Sequence, residues 1–234
     1  MHADIGAVLS DMDGTLLDTE EAWLRAVAGF VRSRGAEAGH EVMLAVEGAT
    51  LTQAARVVRR MLELPDAVAE IEAELDARAL EQFTAHGVRW RPGARELIAV
   101  VAASGTPLAL VTSSPRRWVD DLARRVDLGV FRVTVTADDV DHVKPDPTPY
   151  LLGAAALGVP PESAVVLEDS IPGMRSALQA GCRVLLIRPG ERPARHPSLV
   201  VVPSLDGISL PWLRERFRAL ADVAADIPQE GTTR

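Results

Sequence analysis

From Gly93 onward the chain alternates between two hydrophobic periods, and that alternation leaves few folds open. Helix-like segments Ala94–Ala103, Arg116–Val126, Thr148–Leu157 and Ile171–Ala180 each lead into a short apolar run: Pro107–Val111, Phe131–Thr136, Ala164–Leu167 and Arg183–Ile187. Gly105, Gly129, Gly158 and Gly181 stand where those helices should stop. An earlier run, Ile5–Leu9, has the same apolar character and reads as a first buried strand. Uninterrupted apolar strands separated by helices imply a parallel sheet covered on both faces. The expected fold is therefore α/β, a doubly wound parallel-sheet, Rossmann-like core.

Between the first strand and Gly93 the pattern is helical throughout. Trp23, Val27, Phe30 and Val31 share one face of a segment running to about Arg34. A second segment, residues 51–64, carries Ala54, Val57, Val58, Met61 and Leu62 on one stripe and stops before Pro65. A third, residues 66–86, buries Val68, Ile71, Leu75, Ala79 and Phe83, while Glu70, Glu72, Glu74, Asp76 and Glu81 face away. No strand pattern occurs from about residue 20 to residue 90. An all-helical cap domain inserted after the first strand is expected, spanning 18–89. The core then comprises 1–17 and 90–227, with 228–234 a flexible polar tail. Residues 188–198, with Pro189, Pro193 and Pro197, read as a loop, and Leu210–Ala221 as a last helix.

Composition narrows the function classes. The net charge of −8 argues against a nucleic-acid surface or an anionic membrane surface. No apolar run approaches the ~18–20 residues that a membrane span needs. Asp4, Asp11 and Asp13 leave no basic-then-apolar leader, so a cytoplasmic protein is expected, as a monomer or weak dimer. Cys182 is the single cysteine, which excludes an internal disulfide and suits a small buried residue. Among 25 basic residues Lys144 is the only lysine, which makes its position conspicuous.

Four strand ends carry the chemistry. The first continues Ile5–Leu9 into Asp11-Met12-Asp13-Gly14-Thr15, two carboxylates at the carboxyl edge where open α/β sheets bind ligands. The second is Thr112-Ser113-Ser114. Here Ser114-Pro115 reads as a helix cap with Pro at the first helical position, which leaves Thr112 to the site. The third is Lys144-Pro145-Asp146-Pro147, a stiff loop presenting an ammonium suited to a carboxylate or phosphoryl oxygen. The fourth is Glu168-Asp169-Ser170, where an apolar strand ends in two acids. If these strands are neighbours, Asp11, Asp13, Glu168 and Asp169 converge and repel unless a proton or a cation relieves them. Few protein ligands and shared substrate oxygens favour Mg²⁺ over Ca²⁺, and ligand spacing for zinc is absent. A cation, a lysine and a hydroxyl around a nucleophilic carboxylate suit phosphoryl transfer.

These motifs, in this order and with the helical insert, resemble the haloacid dehalogenase superfamily, more narrowly its phosphatase and β-phosphoglucomutase-like branch. The resemblance implies that Asp11 attacks phosphorus to form an aspartyl-phosphate. Asp13 would protonate the leaving oxygen and then deprotonate the water that hydrolyses the intermediate. It further implies that Thr112 and the Ser113 backbone hold phosphoryl oxygens and that Lys144 bridges Asp11 and the phosphoryl group. Mg²⁺ would sit on Asp11, the Asp13 backbone carbonyl and Asp169, with Glu168 direct or through water.

Within that family a dehalogenase has no need of the acid at Asp13 or of the metal pair. A β-phosphoglucomutase is the alternative enzyme. In that branch a histidine follows the first motif, and a cap lysine and arginine flank a glycine. The matching positions here are Trp23, Glu47 and Leu51 around Gly48, and all depart from the pattern. A non-enzymatic binding protein on this fold would be marked by loss of Asp11, Asp13 or Lys144, and all are present. The favoured expectation is a phosphatase acting on a small phosphorylated metabolite, a sugar phosphate or a phosphoglycolate-like acid. Trp23, Glu47 and Arg116 are its candidate substrate contacts. Glu20, Thr50, Thr52, Arg56 and Arg117 are further candidates, and His142 is the histidine nearest the site.

Overall fold

The structure is a computed structural model that describes residues 5–46, 49–190, 194 and 196–225. Its centre is a six-stranded sheet: β1 (Ala7–Ser10), β2 (Leu108–Val111), β3 (Val133–Val135), β4 (Ala164–Glu168), β5 (Arg183–Ile187) and β6 (Leu199–Val202). All pairings are parallel and the order is β3-β2-β1-β4-β5-β6. The chain thus builds outward from β1 to one edge, then returns to β1's other side. The carboxyl ends of β1, β2 and β4 meet at this reversal, the place where such sheets leave a crevice. Ser10 is level with Leu110 on one side and Leu167 on the other, so residues just past each strand emerge side by side.

Strand residues alternate between two apolar layers, as a pleat with both faces covered requires. Val8, Leu108, Leu110, Val165, Leu167 and Leu185 point to one face. There they meet α5 (Ala94–Ala103) through Leu97 and Val101, and α9 (Leu210–Ala225) through Leu213 and Phe217. Leu9, Ala109, Val111, Val166, Val184 and Leu186 point to the other. There they meet α7 (Thr148–Ala156) through Tyr150 and Ala154, and α8 (Ile171–Gln179) through Met174 and Ala177. This is the α/β, doubly wound Rossmann-like architecture that the alternation implies.

Four helices separate β1 from α5: α1 (Glu20–Ser33), α2 (His40–Val46), α3 (Leu51–Met61) and α4 (Val68–His86). Their buried stripes, including Val27, Phe30, Val58, Ile71, Leu75 and Phe83, join the layer on the α5 and α9 side in one continuous core. Thr50 starts α3 with a reciprocal cap: its Oγ1 accepts from the Gln53 amide while Gln53 Oε1 accepts from the Thr50 amide. The chain leaves the sheet layer and returns to it at adjacent points. The Asp18 amide donates to the Arg89 carbonyl at 2.8 Å, and the Arg91 amide to the Leu16 carbonyl at 2.7 Å.

The structure differs from the sequence expectations at several places. Helix α2 falls in a stretch given no element, because seven residues carry too few turns to show a period. Strand β6 follows the Pro-rich loop, with no helix among the described residues between it and β5 to continue the alternation. Helix α6 (Arg116–Leu122) ends four residues early. Gly105, Gly158 and Gly181 do take positive φ just past α5, α7 and α8, whereas Gly129 does not and stops no helix. Helix α9 runs to Ala225, beyond the expected end. The expected tail, 228–234, lies outside the described residues. Among the described residues no helix is long and apolar enough to cross a membrane.

Candidate active site

Asp11 is the first residue past β1, and its amide donates to the Leu167 carbonyl at 3.0 Å, which fixes it against the end of β4. Lys144 comes from the loop between β3 and α7, through a cis Lys144–Pro145 peptide. Its buried Nζ donates to Asp11 Oδ1 at 2.6 Å, Glu168 Oε1 at 2.6 Å and the Val111 carbonyl at 2.8 Å. All three ammonium hydrogens are thereby used. The lone lysine and the lone tyrosine of the chain meet here. Lys144 Nζ lies 4.9 Å from the Tyr150 ring centroid, and the fully buried Tyr150 donates its hydroxyl to Glu168 Oε1 at 2.6 Å.

Glu168 is completely enclosed. Oε1 accepts from Lys144 and Tyr150, and Oε2 accepts from the Ser170 amide at 3.1 Å and the Ser170 hydroxyl at 2.9 Å. Four donors fill the lone-pair positions of one carboxylate. Gly173, in the first turn of α8, packs so tightly on this group that a Cβ there would overlap the carboxylate. Ser170 also caps α8 by accepting from the Gly173 amide at 3.0 Å.

Asp169 Oδ1 accepts from Thr15 Oγ1 at 3.0 Å. Gly14, at φ 77°, lies under the same carboxylate, and a side chain there would overlap Asp169 as well as strain the backbone. Oxygens of Asp11, Glu168 and Asp169 all lie within 4.8 Å of one another. Asp11 Oδ2 is buried and has no hydrogen-bond partner. Burial, opposed by the Lys144 ammonium and reinforced by the carboxylates of Glu168, Asp169 and Asp13, pushes the Asp11 carboxyl well above its ordinary value. Burial, together with the Glu168 carboxylate, raises Asp169 to about 7. Burial alone would lower Lys144, but the Asp11 and Glu168 carboxylates outweigh it and hold the ammonium above its usual range. Three clustered acids thus share one ammonium. An orphaned carboxylate oxygen and two acids forced toward protonation are what a hard divalent cation would relieve, and the all-oxygen donor set fits Mg²⁺.

Asp13 is oriented differently. Its Oδ1 accepts from Thr19 Oγ1 at 2.8 Å, and its Oδ2 accepts from Thr112 Oγ1 at 3.0 Å and Ser114 Oγ at 2.8 Å. The expected cap at Ser114 is therefore incorrect. The residue preceding α6 is Pro115, without a side-chain cap, and Ser114 turns to Asp13 instead. Thr112 also accepts from the Ser114 amide at 3.0 Å, which holds the loop after β2 against the two acids.

A cavity of about 210 Å³ opens beside this cluster. Asp11, Asp13, Thr112, Ser113, Lys144 and Asp169 line one end. Glu20 and Trp23 of α1, Thr50, Leu51 and Gln53 at the start of α3, and Trp118 of α6 line the other. Trp23 and Trp118 pack with ring centroids 5.7 Å apart, and Phe83 meets Trp118 edge-on at 5.3 Å. Trp118 Nε1 donates to Asp76 Oδ1 at 2.6 Å, whereas the buried Trp23 Nε1 has no partner. Leaving such a donor unpaired costs about 1–3 kcal/mol.

Among the expected substrate contacts, Trp23, Thr112, Ser113 and Lys144 line the cavity, as do Glu20 and Thr50. Arg116 does not: its guanidinium is bound to Asp139 and the Thr134 carbonyl. Arg117 is tied to Asp76 and Thr52 to Glu72. Arg56 lies along a separate groove, and His142 is exposed on its loop. Glu47 and Gly48 lie outside the described residues. Sequence reasoning missed Tyr150, Ser114, Gln53 and Trp118. Tyr150 had one available clue, being the only tyrosine, six residues after the only lysine.

Comparison with known proteins agrees with this architecture. The family model for haloacid dehalogenase-like hydrolases matches residues 8–187. Hexitol phosphatase A of Escherichia coli is 34% identical over 204 residues, 86% of this chain and 92% of that one. A phosphorylated carbohydrates phosphatase of Thermotoga maritima is 34% identical over 176 residues, 75% of this chain and 81% of that one. The crystal structure of CbbY from Rhodobacter sphaeroides in complex with phosphate superposes with a TM-score of 0.75 at 29% identity, covering 87% of this chain and 96% of its own. With the match running from β1 to the end of β5, this chain belongs to the haloacid dehalogenase-like hydrolase family.

Proposed function

We propose that this chain is a phosphoric monoester hydrolase that releases phosphate from a small phosphorylated metabolite through an aspartyl-phosphate on Asp11, with Mg²⁺ as cofactor. The observation that carries the reading is the division of labour on Asp11: Lys144 fixes Oδ1, and Oδ2 stays buried and unpartnered beside a cavity. The phosphatase names of two well-covered relatives support it. Asp11 and Asp169, with the Asp13 backbone carbonyl, would hold Mg²⁺, and Glu168, saturated by its four donors, stands behind them. When bound, Mg²⁺ supplies positive charge against the phosphoryl oxygens.

The chain's own groups do the rest. The Asp11 carboxylate attacks phosphorus as the P–O bond to the alcohol breaks, and Asp13 delivers the proton to the departing oxygen. Thr19, Thr112 and Ser114 hold the Asp13 carboxyl in one orientation for that transfer. Asp13 then takes a proton from the water that cleaves the aspartyl-phosphate. Thr112 and the Ser113 backbone bind phosphoryl oxygens, and Lys144 adds its charge while keeping Asp11 in place. The helical insert, 18–89, acts as a cap whose residues close the cavity and exclude bulk water.

The test is phosphate release from p-nitrophenyl phosphate with added Mg²⁺, repeated in excess chelator and with Asp11→Asn. Loss in both arms, with the variant still folded, is expected; full turnover by Asp11→Asn overturns the mechanism. Formation of glucose 6-phosphate from β-glucose 1-phosphate would move the reading to a phosphosugar mutase.

A further inference from the structure

The helical insert carries a second groove, of about 480 Å³, that shares no lining residue with the cavity beside the acid cluster. Arg56, Arg59 and Arg60 of α3 line it with Glu63, Leu64 and Val68. In a chain of net charge −8, three guanidiniums along one helix make a local reversal of sign. Arg56 and Arg60 stand one helical turn apart, about 5–6 Å at Cβ, so a single small anion can reach both. Arg59 is anchored through its Nε, which donates to the Asp66 carbonyl at 2.8 Å. Arg56 and Arg60 are exposed and have no hydrogen bond or ion pair among the described residues. The acids that follow in the chain are committed to other groups: Asp66 to Arg34 at 3.6 Å, Glu70 to the Ala67 amide at 3.0 Å and Glu72 to Thr52 at 2.9 Å.

Glu63 is the exception, and its backbone sets it apart. It sits just past α3 at φ 51°, the only positive φ outside glycine among the described residues. Its amide donates to the Arg60 carbonyl at 3.4 Å and the Leu64 amide to the Arg59 carbonyl at 3.0 Å, a helix-ending turn in which glycine is the usual occupant. The carboxylate carried there has no hydrogen bond or ion pair among the described residues, so it lowers the charge of the groove without being held by any one guanidinium. A strained position occupied by an acid, on the wall of a basic groove, points to a role in that groove. We propose that the groove binds a small anion bearing two or more phosphate groups, bridging Arg56 and Arg60, and that Glu63 sets how much charge the anion must bring. Each guanidinium offers a planar fork to phosphate oxygens. The half-buried Leu64 and Val68 exclude water along one side, which strengthens that attraction. With Glu63 offsetting one of three positive charges, a single phosphate gains little, and an anion that spans both arginines gains most.

The experiment titrates tripolyphosphate and inorganic phosphate into metal-stripped protein by calorimetry, in buffer free of chelator. Without metal the acid cluster presents carboxylates, and Lys144 has no hydrogen left to give an anion, so the titration reads the groove. It compares the wild type, Arg56→Gln/Arg60→Gln, Glu63→Gln and Arg89→Gln/Arg95→Gln, the last removing the same charge from exposed arginines outside the groove. Each is first checked for a cooperative melt. Tripolyphosphate should bind the wild type at least about tenfold more tightly than inorganic phosphate. Arg56→Gln/Arg60→Gln should weaken it by about tenfold or more, Glu63→Gln should tighten it about threefold, and Arg89→Gln/Arg95→Gln should change it less than about twofold. The Glu63→Gln arm stands even if the arginine pair fails to fold. No binding up to about 10 mM, equal losses in the two arginine pairs, or weaker binding by Glu63→Gln overturns the proposal. A groove variant that melts lower yet binds unchanged assigns these arginines to the carboxyl end of the helix dipole and overturns it equally. None of these outcomes depends on hydrolysis at Asp11.

Discussion

Lys144→Met removes the charge that holds the acid cluster together while keeping the length and apolar stem of the side chain. The ammonium makes three bonds of 2.6, 2.6 and 2.8 Å in a position only 6% exposed. Its loss leaves the enclosed Glu168 carboxylate and Asp11 without a counter-ion, and the Val111 carbonyl without a donor. Removing one partner of a buried pair costs about 3–5 kcal/mol. For a chain of this size, where 1 kcal/mol moves Tm by about 2–4 °C, the drop should be about 6–20 °C. Chelator-treated protein would be melted by circular dichroism and unfolded in urea at pH 7.5, with the m-value compared to detect a change in compactness. The pH choice follows from sign. Lys144 is held above its ordinary value near 10.5, so its stabilisation is fully present below that pH and lost only as pH climbs past it. Adding Glu168→Gln to Lys144→Met should recover part of the loss, because it neutralises one of the two carboxylates left without a counter-ion. A drop below ~1 kcal/mol for the single variant, or no recovery in the double, refutes the view that this lysine offsets the buried acids.

Three further outcomes follow from the same geometry. Gly173→Ala should lower stability by about 1–3 kcal/mol even though Ala is the better helix former, because its Cβ would overlap the Glu168 carboxylate; a higher Tm would contradict that packing. Asp169 is raised to about 7 in the folded state, so that state binds its proton more tightly than the unfolded chain. Its contribution is greatest at low pH and declines as pH rises from ~4 toward 7, and urea midpoints in chelator should fall across that window, less so with saturating Mg²⁺. Asp76→Ala strips the acceptor from the buried Trp118 N–H and the ion pair from Arg117, costing about 1–3 kcal/mol; faster limited proteolysis between α4 and α6 is the accompanying sign.

The sheet was readable because strands buried on both faces leave unbroken apolar runs, and the helices between them carry a period long enough to count. Helix α2 and strand β6 escaped because neither is framed by that alternation: α2 sits between two longer helices, and β6 follows β5 through a proline-rich loop with no helix among the described residues between them. The acid motifs were legible because apolar strands end abruptly in carboxylates, and Lys144 because it is the only lysine, held in a proline-flanked loop. Ser114 was misread because a hydroxyl before proline looks alike whether it caps a helix or reaches across the sheet to Asp13. Arg116 was a plausible anion contact by position, but Asp139, 23 residues on, claims it in space. Tyr150 passed as an ordinary helix residue; only the fold reveals that its hydroxyl ends on Glu168.

The strand order carries a consequence for how such a chain comes alive. Asp11 is among the first residues made, yet the ammonium that restrains it arrives 133 positions later and the acids of β4 later still. No N-terminal fragment that stops short of residue 168 can assemble the constellation, whatever local structure it adopts. Catalytic competence in a growing or refolding chain should therefore appear only once β4 has paired with β1, so a colour-producing phosphate ester would report that pairing, with β5 and β6 still further out in the sheet.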